Sequence, residues 1–332
     1  MEKHLKNALI LLLAVFALLG AVAALTGALP LLKRINPFLF MVASLFFIAS
    51  IFVWLISWAH IIKKGNAVSR RSLTIAGFCC VFAALTPIQL GAEALRSIKL
   101  KDSFGIPYSE SIAASMIVKG LKFLVIAVVS GIAFVSFLSN PSLDPWLKLG
   151  MASGFAVISI AALLFLLPMR YGTGVKIAVL FGRLAGLNAV FGKLERYFNS
   201  YASYLKKVSK RTIALTLVLS LASLSLEFAA FLCCFLAVNT AIPLQAGLTL
   251  FMLSAILERT PFLPRGIGAV EAAAFAFLSM RQFTAVQLSP GEIGAVIIIF
   301  DLARLVVPTL ASLVVYAFVF RGKGAFKPAT AA

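Results

Sequence analysis

The chain has 332 residues, 62% of them hydrophobic and only 12% charged, with a mean hydropathy of +1.05. Soluble domains carry about 25% charged residues, so this composition excludes a soluble enzyme and implies an all-α chain that crosses a bilayer several times. The 30 Lys and Arg against 11 Asp and Glu point to basic loops facing anionic headgroups and not to nucleic acid. With only two histidines, His4 and His60, no metal site, cofactor or catalytic triad is expected.

Lys3 and Lys6 precede an apolar run over residues 7–29. Ala21-Val22-Ala23 within it resembles a signal-peptide cleavage site. A bilayer core about 30 Å thick takes roughly 20 helical residues, so the run is long enough to span and is expected to remain as a first transmembrane helix. Further apolar blocks cover 37–62, 72–95, 111–138, 149–167, 212–238, 244–280 and 292–320. No soluble domain is left over, and residues 1–332 read as one membrane domain. Two adjacent pairs, Cys79-Cys80 and Cys233-Cys234, sit inside apolar runs. They lack the spacing of metal or redox motifs and read as small buried hydrophobes. The long polar stretch, 170–211, is basic with interleaved aromatics, among them Phe181, Tyr197, Tyr201 and Tyr204. It reads either as a helix on the membrane surface or as a solvated connecting helix.

Nine basic residues and one acid, Glu195, put that stretch in the cytoplasm by the positive-inside rule. Counting crossings outward from it places both ends of the 72–95 block on the cytoplasmic side and both ends of the 244–280 block outside. Each block is therefore expected to be a re-entrant hairpin, broken at Thr86-Pro87 and at Thr260-Pro261 with Pro264. This arrangement assigns 21 basic residues to the inside and four, Lys33, Arg34, Lys148 and Arg281, to the outside. Both termini lie in the cytoplasm, and the host is the cytoplasmic membrane. Helix, broken hairpin, helix over 37–138 recurs with opposite orientation over 212–320. The first helical region (1–36), the connecting region (139–211) and a tail (321–332) complete the chain. Inverted repeats with broken helices are a common transporter architecture.

Ionisable residues within lipid-spanning segments are costly and tend to serve function. Here they concentrate in the repeats. Glu93 and Arg96, Lys119 and Lys122, and Asp301 and Arg304 are each three apart and share a helical face. Glu258, Arg259, Arg265 and Glu271 flank the second break. Glu227 stands alone on its helix, to pair with one of these bases or to carry a proton. The helix restart at Arg265-Gly266-Ile267-Gly268 offers free N–H groups and a positive dipole end to an anion.

Glu258-Arg259-Thr260-Pro261, followed by Pro264-Arg265-Gly266-Ile267-Gly268-Ala269-Val270-Glu271, resembles the signature of the lysylphosphatidylglycerol synthase transmembrane family. That family includes the flippase-like region of the multiple peptide resistance factor and its stand-alone relatives. The stretch 91–96 and the helix with Lys119 are similar to its other motifs. The resemblance implies a multi-pass protein that moves a lipid between leaflets, without the aminoacyl-transferase activity of the two-part relatives. This chain carries Arg265 where the family motif usually has Gly. It reads Val118-Lys119-Gly120-Leu121-Lys122 where an acid-basic-x-x-acid pattern is frequent. Both changes add positive charge and favour an anionic phospholipid or polyprenyl phosphate over a cationic lysyl-lipid.

The sequence thus predicts a lipid flippase with Arg96, Lys119, Lys122, Arg259, Arg265, Gly266, Gly268 and Arg304 contacting an anionic headgroup. Glu93, Glu227, Glu258, Glu271 and Asp301 would orient these bases or carry coupling protons. A small-ion or solute exchanger on the same architecture and a membrane-embedded headgroup transferase stay open as alternatives, as does an oligomer. No catalytic residues are assigned.

Overall fold

The computed structural model describes residues 2–63, 68–85, 90–138, 145–166, 204, 208–259, 264–280 and 288–321. Every regular element among them is helical. Helix α1 (Glu2–Thr26) ends at Gly27, whose φ of +70° is the left-handed stop that glycine adopts freely. A short turn, α2 (Leu29–Leu32), leads to α3 (Pro37–Lys63). The side chain of Asn36 accepts from the N–H groups of Phe38 and Leu39, and Pro37 fills the first helical position.

The 72–95 block is not one helix. It consists of α4 (Arg70–Phe78), capped by Ser69, then a 3-10 turn (Val81–Leu85), and after the break α5 (Leu90–Phe104). Helix α5 runs nine residues past the expected end at Leu95 and carries Lys99 and Lys101, which lie between the 72–95 and 111–138 blocks expected from sequence. Leu95 and Leu100 are buried along it, so packing extends the helix until Gly105 (φ +69°) and Pro107 stop it. Helices α6 (Tyr108–Leu138), α7 (Pro145–Leu166) and α8 (Lys210–Ala237) follow. The 244–280 block is likewise divided, into α9 (Leu244–Leu257), a 3-10 turn (Pro264–Gly266) and α10 (Ala269–Leu278). The last block is a continuous helical rod made of α11 (Pro290–Asp301), a π-helical turn (Leu302–Val306) and α12 (Val307–Arg321). Ser289 and Glu292 close a reciprocal capping box at its start.

Among the described residues, six helical stretches are long and apolar enough to cross a bilayer: Leu9–Thr26, Pro37–Lys63, Tyr108–Val135, Pro145–Leu166, Lys210–Ala237 and Pro290–Val319. Their outer faces expose large hydrophobic side chains at helical spacing, including Val128, Ile132 and Val135 on α6 and Leu215, Val218 and Leu221 on α8. Water would penalise such a surface, and lipid does not. The chain is an all-α polytopic membrane protein.

The most extensive helix contact joins α3 and α8. Ser44, Ser50 and Ser57 on α3 and Thr216, Ser220 and Ser223 on α8 are buried, and such small side chains let helices approach closely without a hydrophobic driving force. The final rod is central, with 83% of an 18-residue apolar window buried against 17% for the corresponding window of α7, which forms an outer wall. Helix α1 buries Leu12, Val15, Leu19 and Ala23 on one face. It docks on α11, where Gly291 and Gly294 leave room for Leu31 and Thr26.

Of the basic stretch, most lies outside the described residues. Its Tyr204 is buried against α3, donating its hydroxyl to the carbonyl of Ile61 at 3.0 Å. This aromatic therefore anchors protein to protein. Burial raises its pKa above the ordinary phenol value and keeps it a donor.

Candidate functional site

The two interrupted blocks meet, with the 3-10 turn of the first lying against that of the second. Beside this junction is a cavity of about 380 Å³ that the bases Arg96, Lys119, Lys122, Arg259, Arg265 and Arg304 all line. Its volume falls within the range of small-molecule sites, roughly 300–1,000 Å³. Glu93, Glu227 and Glu258 also line it, while Glu271 and Asp301 stand behind Arg304. The lining also includes the apolar residues Phe47, Phe123, Phe165, Phe251, Phe300 and Ala161.

The geometry of the second break follows from its backbone. Arg265 has φ 49° and ψ 29°, and Gly266 has φ +70°. This left-handed pair folds the chain back on itself. A Cβ on residue 266 would lie 2.8 Å from both Glu258 Cα and Leu257 O, so only glycine fits. The reversal brings Arg265 to Glu258, with Nη2 at 2.8 Å and Nε at 3.1 Å from Oε1. Gly266 and Gly268 do not line the cavity. The N–H of Gly268 is already bonded to the Glu271 carboxylate, which occupies the start of α10 where an anion was expected.

Glu227 gathers partners from three helices. Lys122 Nζ approaches its Oε1 to 2.6 Å, Arg259 Nη2 lies 3.6 Å from its Oε2, and Ser50 and Ser223 donate hydroxyls at 3.5 and 3.4 Å. Arg259 also lies 3.5 Å from Glu258 and donates to the carbonyl of Ala255 at 2.6 Å. Lys119 Nζ meets Glu93 Oε1 at 2.7 Å. Within the π turn, Arg304 binds Asp301 at 2.6 Å and Glu271 at 3.5 Å and stacks over Phe300. The i, i+3 spacing of Asp301 and Arg304 thus marks a direct ion pair. Lys119 and Lys122 instead pair with different helices.

Arg96 is held differently. Its guanidinium lies 5.0 Å from the Trp54 ring centroid and 4.6 Å from that of Trp58, one helical turn apart on α3. Trp58 is fixed in turn by its Nε1–H donating to Ser115 Oγ at 3.0 Å.

The family model described as the lysylphosphatidylglycerol synthase TM region matches residues 8–312. The chain belongs to this family. Among relatives of this lysylphosphatidylglycerol synthase transmembrane member is a UPF0104 membrane protein of Methanothermobacter thermautotrophicus, 22% identical over 291 residues that cover 82% of this chain and 80% of that relative. No solved structure matches.

In this member of the lysylphosphatidylglycerol synthase transmembrane family, Trp54, Trp58, Ser50 and Ser223 join the site without having been expected there. The signal available for the tryptophans was their i, i+4 spacing on an apolar helix. The serines carried none.

Proposed function

We propose that this protein is a lipid flippase, moving a phospholipid or polyprenyl-phosphate-type lipid with an anionic headgroup between leaflets. One observation carries the reading: the cavity is lined both by six bases and by phenylalanine and alanine side chains. A molecule with a charged head and an apolar body matches both parts of such a lining, whereas a small hydrophilic solute would leave the phenylalanines facing water. Helix α7, the least buried of the six spanning helices, supplies Ala161 and Phe165 to the wall and is the natural place for a lateral opening to lipid. In this scheme the two broken blocks are re-entrant hairpins of an inverted repeat, the bases receive the headgroup, and the acids keep the bases in place when the site is empty. The protein resides in the cytoplasmic membrane with both termini inside, and no chemical transformation is assigned to it.

Reconstitution into liposomes with labelled anionic, zwitterionic and lysyl-modified lipids tests the proposal. Faster translocation of the anionic lipid is expected. A clear preference for the lysyl form, unchanged in Arg265→Ala, would overturn the anionic-headgroup assignment, and no translocation of any lipid would overturn the flippase.

A further inference from the structure

The ion pairs around the cavity divide unevenly. Lys119, Lys122, Arg259, Arg265 and Arg304 are joined by bridges to Glu93, Glu227, Glu258, Glu271 and Asp301. Five bases meet five acids, so this network is neutral as a whole. Arg96 lies outside it: it lines the cavity but makes no ion pair among the described residues, and it is 1% exposed. Its Nε and Nη1 are buried without a hydrogen-bond partner. The guanidinium lies over the Trp54 and Trp58 rings, which accept no N–H hydrogen bond from its edge, so its N–H groups are the part able to bind. Three residues earlier on the same helix, Glu93 Oε2 is a buried acceptor that also lacks a donor. Buried unpaired polar atoms of both kinds are costly, and a ligand that satisfies them is favoured accordingly.

We infer that Arg96 is the headgroup-docking cation and that the site selects a phosphodiester, with a single negative charge, whose headgroup also carries a hydrogen-bond donor for Glu93. This rests on the lipid-flippase reading above and narrows its substrate class. One negative charge balances the cavity. A phosphate monoester, at about −1.5 to −2 near pH 7, brings excess negative charge to a cavity that three carboxylates already line. Arg265 and Arg259, by contrast, are occupied by Glu258 and Glu227 and shape the wall.

The test is binding to the purified full-length protein in detergent, measured by calorimetry with phosphatidylglycerol, phosphatidic acid and soluble glycerophosphoglycerol. Phosphatidylglycerol is expected to bind at least about tenfold more tightly than phosphatidic acid, and Arg96→Gln to remove about tenfold or more of that affinity. Glu93→Gln should weaken binding less, because an amide oxygen still accepts. Arg96→Lys, which keeps the charge but not the planar fork, should lose several-fold and carries the test if Arg96→Gln does not fold. Tighter binding of phosphatidic acid overturns the inference, as does phosphatidylglycerol binding that is unchanged in the Arg96 variants. Arg96-dependent binding of glycerophosphoglycerol as tight as that of the lipid supports the phosphodiester site and overturns the flippase reading instead. So does Arg96-dependent lipid binding without translocation in liposomes.

Discussion

Lys122 Nζ sits 2.6 Å from Glu227 Oε1 and 3.1 Å from Ser223 Oγ, tying α6 to α8 at the edge of the cavity. Removing one member of such a pair leaves a buried charge uncompensated, a loss of about 3–5 kcal/mol, whereas replacing both with apolar groups of similar size is far less harmful. Glu227→Leu, which strips Lys122 of its carboxylate, is expected to destabilise by that order, and Lys122→Met by less, because Arg259 stays 3.6 Å from Glu227. The double variant should fall well short of their sum. Equilibrium unfolding in detergent gives the double-mutant cycle, and additive losses would mean that the two residues do not interact.

At the second break, Arg265 holds a left-handed conformation that costs a non-glycine residue about 1–2 kcal/mol. Arg265→Gly is therefore expected to lose less stability than a broken buried pair alone would cost, because relief of the strained backbone offsets part of the lost bridge to Glu258, while lipid translocation declines. Gly266→Ala should lower both, because its Cβ meets the backbone of Glu258. Arg321→Ala, at the end of α12, serves as the comparison and should change neither. Wild-type translocation by Arg265→Gly would take this arginine out of the transport machinery.

Gly294 permits the contact between α1 and α11, since a Cβ there would lie 2.7 Å from Thr26 Cβ, a branched side chain with little freedom to move. Gly294→Ile is expected to loosen α1 and to expose the segment around Thr26 to protease, with a lower unfolding temperature. If the first helix contributes nothing to the folded protein, digestion patterns of wild type and variant will be identical.

The re-entrant reading of the first broken block predicts that single cysteines replacing Lys63 and Lys101, both exposed at helix ends, react with a membrane-impermeant thiol reagent from the same side. Labelling from opposite faces would remove the hairpin, and the inverted repeat with it.

The class of protein and its buried ionisable residues were legible in the sequence because both depend on composition and on the cost of charge in lipid. Which base meets which acid was not. Helices such as α3 and α9 are apolar on nearly every face, so periodicity does not fix their rotation about the axis. The Lys122–Glu227 contact joins residues 105 positions apart. The role of Trp54 and Trp58 was hidden for the same reason, since tryptophans in an apolar helix look alike whether they face lipid, core or a guanidinium. The reach of α5 to Phe104 was missed because its polar residues resembled a loop, while burial of Leu100 keeps the helix going.

The placement of partners along the chain also sets the order in which charges reach the membrane during synthesis. Asp301 and Arg304 leave the ribosome together and neutralise each other within a single helix. Lys119 finds Glu93 already made. Lys122 does not: Glu227 is translated 105 residues later, a delay of roughly 5–20 s at ordinary elongation rates. For that interval α6 holds an unanswered ammonium, which must snorkel toward the interface or be sheltered by the insertion machinery. The pairing of α6 with α8 is thus a late event, completed only when the second half of the protein arrives.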